Sequence, residues 1–468
     1  MKSGRWTQTV RICDKLVMAM LYVLMADCAV FGAGRTIAIG SIGFRTILAG
    51  LIVLVSVPLI ICNYLPILRN RYTWFLAAFL CWAAINAVRG FVVGNTMAVL
   101  LADVKGFIYL LLFFPVFCVL NSKERIHRLM KVVLYASLVL GVATVLFLVA
   151  YNLLPELYLK FYFFDDEYNI AMWSALTART PRLFFKSSPY FLCSCVFSVY
   201  FCVLESKEKI KKRYPLVVGM SLFGLLMSYT RSIYLAAAVS VVILVFVLAV
   251  YAVKRGNRTA WKCIGLSVAA FCCITLLLSV CMKENYVGHA INRMGLSFYV
   301  SPDYGNPSDT QTDSSESTQD TKPDATQPTD DYHQDTINSD LRRKQTLQEV
   351  RSYIADSPWI GNGLGKSLIC RNNGSHEYFF EDLIMKMGVI GLILYLAPIL
   401  YIICSLLAHR GLEESFLLRG SWVAILIGFC AFSYFNPYMN ASLGISLLCC
   451  TMGVFAKTDN KEKMEDRK

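Results

Sequence analysis

His376 opens the stretch HEYFFEDLIMKMGVIGLILYL, in which Glu377, Glu381 and Asp382 precede a long apolar run. An imidazole exchanges a proton near neutral pH, the property needed to activate a hydroxyl group. Carboxylates in the first turn of the following helix also suit its dipole, so they have a purely structural reading too. One His without a second His or Cys at ligand spacing is a poor signature for a metal. His127, His289, His333 and His409 have no comparable neighbourhood, and a lone loop histidine is ordinarily inert.

Cations form the second set. Arg231, in LLMSYTRSIYLAAAVSVV, sits where two apolar runs meet. There a guanidinium either snorkels to headgroups or uses its planar fork to hold an anion such as a lipid pyrophosphate. Arg342 and Arg343 lie on an amphipathic stretch in which Leu341, Leu347, Val350 and Ile354 recur at helical spacing. They are either a solvated polar face or part of a site. Arg182 and Lys186, in TPRLFFKSSPYF, are interface anchors or the remainder of a cationic pocket. Gly361-Asn-Gly363-Leu-Gly365 lacks the third glycine at the distance a nucleotide loop requires and follows no strand. It reads as a tight turn beneath His376.

These residues need a scaffold, and the composition says which kind. Of 468 residues, 56% are hydrophobic and 16% charged, too apolar for a soluble globule. About 20 apolar residues cross the hydrocarbon core. That ruler places spans near 16–34, 46–66, 72–92, 99–120, 131–153, 187–204, 214–230, 232–253, 261–282, 380–407, 418–435 and 438–456. The expected fold is an all-α polytopic membrane protein of about twelve helices, begun by a basic segment read as a signal anchor.

Lys123, Arg125, Arg128 and Lys131, the run Lys207–Arg213, and Lys254, Arg255, Arg258 and Lys262 fall in alternate loops, as does the tail 457–468. The positive-inside rule then puts both termini in the cytoplasm. This distribution accounts for the net charge of +13 without a nucleic-acid partner. Most of the 17 cysteines lie in apolar segments and read as buried apolar groups, not a disulfide framework.

Two outside segments are long. The first, 154–186, is aromatic and is expected to lie along the interface. It belongs to a first region, 1–282, holding nine spans. The second, 283–379, carries an acidic Ser, Thr and Pro-rich insertion at about 301–335 that cannot offset ordering entropy and reads as disordered. A last region, 380–456, holds three spans.

The order of these features resembles the bacterial O-antigen ligase and polymerase family. The resemblance rests on SYTR with Arg231, on Arg343 about fifteen residues before SPWIGNGLG, and on SHEYFFEDLIMKMGVIGLILYL with Gly388-Val-Ile-Gly391. Glu377 stands where the family often has Asn, and Ser232 where Gly is frequent. The resemblance implies an inner-membrane glycosyltransferase without metal or cofactor. Its donor would be a polyprenyl-diphosphate-linked glycan and its acceptor a second glycan, with a chain-length regulator as a further partner. Arg231, Arg343, Arg342 and Arg182 would hold the diphosphate, and His376 would orient or deprotonate the acceptor hydroxyl. Repeat-unit polymerisation for a surface polysaccharide or capsule is the first expectation; ligation to a lipid or protein acceptor is the alternative. A transporter or flippase is the rival from another class. Asp27, Arg89, Asp103 and Lys105 are the intramembrane charges it would use, but no internal duplication or pair of broken helices supports it.

Overall fold

A computed structural model describes residues 2–32, 38–39, 42–154, 171–175, 181–205, 213–255, 259–295, 328–370, 377–409 and 413–465. Among them, seven helices are long and apolar enough to cross a membrane: Arg71–Val93, Met97–Val119, Lys123–Leu153, Arg231–Tyr251, Ile264–Met282, Phe379–Leu407 and Glu414–Ser433. Shorter apolar helices cover Phe44–Val55, Tyr190–Glu205, Arg213–Met227 and Ser442–Lys457. The chain is thus a multi-pass helical membrane protein.

Several expected spans are broken, each for a local reason. The 46–66 run divides into Phe44–Val55, Val57–Cys62 and Tyr64–Arg69. Pro58 and Pro66 lack the N–H that would continue the ladder, and Ser56 and Asn63 turn their side chains back onto the Val53 and Leu59 carbonyls. In the 99–120 run a tight turn at Tyr109–Leu112 precedes Pro115, whose ring leaves the Leu111 carbonyl without its helical donor.

The Glu413–Ser433 helix is the centre of the bundle. An apolar helix buried nearly all round needs neighbours that approach closely. It packs along Arg231–Arg255, with Gly420 against Val247 and Gly428 against Ser240, where added side chains would collide. Trp422 packs on Phe197 and Phe429 on Tyr190 of the Tyr190–Glu205 helix, and Phe432 meets Tyr438. At the rim, Leu276, Leu277 and Val280 of the Thr259–Met282 helix stay exposed, as expected of a lipid-facing side. Among the described residues fifteen cysteines are free, five of them buried, three partly buried and seven exposed, and Cys202 is disulfide-bonded.

Two antiparallel hairpins depart from the purely helical expectation. One pairs Ala38–Ile39 with Ile42–Gly43. The other pairs Ala171–Ala175 with Pro181–Phe185, setting Ser174 opposite Arg182. It lies within the segment expected to run along the interface. A second departure is the helix Pro328–Asp356, which starts inside the stretch assigned to the disordered insertion. Pro at its first position and Asp330 and Asp331 behind it are helix-start signals. Insertion residues 301–327 lie outside the described residues.

Candidate functional site

The glycine turn does more than reverse the chain. The Phe379–Leu407 helix is broken at Gly388, whose φ of 69° and ψ of −179° are not helical. A continuous helix would pair the Val389 and Ile390 N–H groups with the Met385 and Lys386 carbonyls. Instead, Val389 donates to Pro358 (2.8 Å) and Ile390 to Trp359 (3.3 Å), while Asn362 donates to Met385 (2.8 Å) and Gly363 to Lys386 (3.0 Å). The 357–365 turn therefore enters the break and replaces both missing bonds. Backbone of this kind is tolerated in a membrane protein only where protein satisfies it. Contact is too close for side chains: a Cβ on Gly388 would lie 2.0 Å from the Trp359 oxygen, and one on Gly363 2.6 Å from the Gly90 nitrogen. Asn95 completes the clamp by donating to the carbonyls of Asn362, Gly363 and Leu364.

Two residues before the break, Lys386 is almost wholly buried, and its ammonium bonds Asp103 at 2.9 Å and Asp382 at 3.0 Å. The other Asp103 oxygen accepts the Gly365 N–H at 2.9 Å. The ion cluster thus holds the Met97–Ile108 helix, the broken helix and the glycine turn together. Beside it lies a cavity of about 20 Å³, room for one water molecule. Asp27 likewise pairs with Arg45. Two of the intramembrane charges a transport path would use are therefore bonded within the bundle.

The expected cations come from three distant segments. Arg182, on the second hairpin, donates to the Ser228 carbonyl (3.2 Å) and Thr230 hydroxyl (3.3 Å). This is the turn that starts the Arg231–Arg255 helix, where buried Tyr229 holds φ at +44°. Burial, joined by the charges of Arg343 and Arg231, pushes the Arg182 guanidinium down to about 10, still cationic at neutral pH. Arg343 donates to Glu377 at 2.6 Å, and its charge reaches Tyr378. Ser232, next to Arg231, accepts a hydrogen bond from Asn436 at 2.8 Å, and Phe435 and Tyr434 pack against Tyr378. Arg182, Arg231 and Arg343 thereby share one neighbourhood, closed by a turn at 434–441 between the last two helices.

Residues 216–396 match the O-antigen ligase family. The matched stretch contains Arg231, Arg342, Arg343, His376 and the Gly388 break, so the family resemblance drawn from the motifs holds there. No curated protein is a significant match to the chain.

Within this family frame, the structure brings together three of the four expected arginines. Arg342 is exposed on the same helix as Arg343. His376 lies outside the described residues; its neighbour Glu377 is the nearest described residue of its segment. Sequence reasoning missed the Asp103–Lys386–Asp382 cluster and the Tyr434–Asn436 turn. Lys386 was the available signal: a lone lysine inside an apolar run needs a carboxylate, and Asp103 was the intramembrane candidate.

Proposed function

We propose that this protein transfers a glycan from a polyprenyl-diphosphate carrier to an acceptor hydroxyl at the outer membrane face. The observation that carries the reading is the meeting of Arg182, Arg231 and Arg343 beside Glu377, inside and next to the segment matching the O-antigen ligase family. Three neighbouring guanidiniums, one of them already paired with Glu377, make a strongly cationic place that favours a further anion. A diphosphate leaving group is such an anion, and fixed cations matter most as charge grows on it in the transition state.

In the proposed reaction the acceptor oxygen attacks the anomeric carbon of the donor sugar. The bond from that carbon to the diphosphate oxygen breaks, and polyprenyl diphosphate departs with the bonding pair. His376 takes the acceptor proton. The chain would cross the inner membrane about twelve times with both termini in the cytoplasm, which sets the arginine cluster outside. The family match favours ligase-type transfer over repeat-unit polymerisation, the reverse of the order in which the sequence suggested them.

The test is a deletion strain complemented with wild type, His376→Ala or Arg231→Ala, its surface glycan resolved by gel. Each variant is expected in the membrane without activity. Ligase function predicts loss of glycan on its final acceptor with intact carrier-linked chains; polymerase function predicts single repeat units on the carrier. Wild-type glycan in both variants sinks the assignment, and lipid-linked units trapped on the cytoplasmic side point to a flippase.

A further inference from the structure

The 434–441 turn puts aromatic rings where the arginines meet. Tyr434 and Phe435 lie edge to face at 4.8 Å, and Tyr378 meets them at 6.4 and 6.5 Å. Tyr434 is 43% and Phe435 38% exposed, whereas Phe432 and Tyr438 beside them are buried. Their placement is fixed by backbone bonds within the turn, Tyr438 N–H to Asn436 and Ala441 N–H to Tyr438, and by the Asn436 amide on Ser232.

A second observation comes from the facing helix. The Glu381 Oε2 atom is buried and accepts no hydrogen bond among the described residues, and the charge of Glu381 reaches Tyr378. A buried carboxylate oxygen without a donor is costly and calls for a partner that brings one.

Exposed aromatics at a membrane edge ordinarily anchor in headgroups. That role uses the rings but leaves the carboxylate oxygen unserved. A lipid tail matches the rings alone, and a diphosphate would be repelled by Glu381. A pyranose ring matches both, with an apolar C–H face to stack on the aromatics and hydroxyl donors around its edge. It is also what a carrier-linked donor holds one bond from the diphosphate.

We propose that Tyr434, Phe435 and Glu381 form a sugar subsite. The rings stack on one face of a glycan residue, and Glu381 accepts a hydrogen bond from one of its hydroxyls. This rests on the reading of the arginines as a diphosphate site and names the part of the substrate beside it.

The experiment uses the full chain in nanodiscs and a fluorophore-labelled repeat-unit oligosaccharide, released by mild acid from the host cell's own carrier-linked pool. Tyr434→Ala, Phe435→Ala and Glu381→Gln are each expected to weaken its binding about five- to tenfold. Tyr434→Phe and Phe435→Tyr, which keep the rings, should bind as wild type and show that the turn is folded. In a transfer assay the same losses should fall mainly on KM. Wild-type oligosaccharide affinity in the alanine variants overturns the subsite, as does a defect seen only in partition to anionic vesicles. A wild-type protein that binds the oligosaccharide but transfers nothing keeps the subsite and removes the enzymatic reading.

Discussion

Arg343 donates its Nε–H to the Glu377 carboxylate over 2.6 Å, tying the Pro328–Asp356 helix to the residue that follows His376. Both side chains are partly exposed, so the pair adds little to stability. Its consequence is electrostatic: Glu377 occupies the fork that the proposed diphosphate needs.

Removing that competitor should tighten donor binding. Glu377→Gln is expected to leave the melting temperature unchanged and to lower the donor KM roughly two- to fivefold. Arg343→Lys should raise it, because an ammonium cannot reproduce a bidentate fork. Steady-state kinetics with purified protein checks both, and an unchanged or raised KM in Glu377→Gln would mean that the pair positions Arg343 instead.

Glycine is required at the helix break and nowhere near as strongly at the neighbouring turn. Gly388 and Gly94 both have positive φ, 69° and 82°. An added Cβ would strike the Trp359 backbone at Gly388, but nothing lies within 4 Å of one at Gly94. Gly94→Ala should therefore cost only the left-handed penalty, about 1–2 kcal/mol. Gly388→Ala should expel the 357–365 turn and orphan the bonds it makes. The predicted contrast is rapid protease cleavage near residue 360 in Gly388→Ala alone; equal resistance in both variants would show that the break does not need the turn.

The helices were legible because hydropathy reports the solvent each segment must face. Arg231 stood out because a charge at the end of an apolar run demands a reason, and Arg343 because of its place about fifteen residues before the glycine turn. What could not be read was pairing. Lys386 and Asp103 lie 283 positions apart, and nothing local joins them. The Gly388 break was hidden because Gly-Val-Ile-Gly is as apolar as a helix interior, and its substitute bonds come from a turn some thirty positions earlier. Tyr434 and Phe435 look like the end of a span. The Asn436–Ser232 bond and the ring contacts with Tyr378 show which site they border.

Acid should loosen the segment that leads to His376. Glu349 accepts the Ile369 N–H at 2.6 Å and the Cys370 N–H at 3.0 Å. Burial raises its pKa, but these bonds and the Cys370 thiol outweigh that and hold it below the usual value of 4.5. A folded pKa below the unfolded one means stabilisation that is present above 4.5 and lost as pH falls through the folded value. Amide exchange at Ile369 and Cys370 should be protected at neutral pH, and deprotected in acid or in Glu349→Gln. Protection that survives acid in the wild type would assign it to the backbone alone.

The buried ion cluster yields an ordering of stabilities. Lys386 holds Asp103 and Asp382 at 2.9 and 3.0 Å, so two carboxyl groups share one ammonium. Lys386→Met leaves two carboxylates facing each other with no cation, at a cost of about 3–5 kcal/mol. Asp103→Asn leaves the Lys386–Asp382 pair neutral and keeps an oxygen for the Gly365 N–H, so its cost should be about 1–2 kcal/mol. Replacing all three by Asn, Asn and Met removes the buried charge altogether and should recover much of the loss. Thermal unfolding in detergent should rank wild type first, then Asp103→Asn, with Lys386→Met last and the triple variant above it. If Lys386→Met melts with Asp103→Asn, the carboxylates reach water once the lysine is gone. The cluster would then be a solvated pair at the cavity rather than the clamp on the glycine turn.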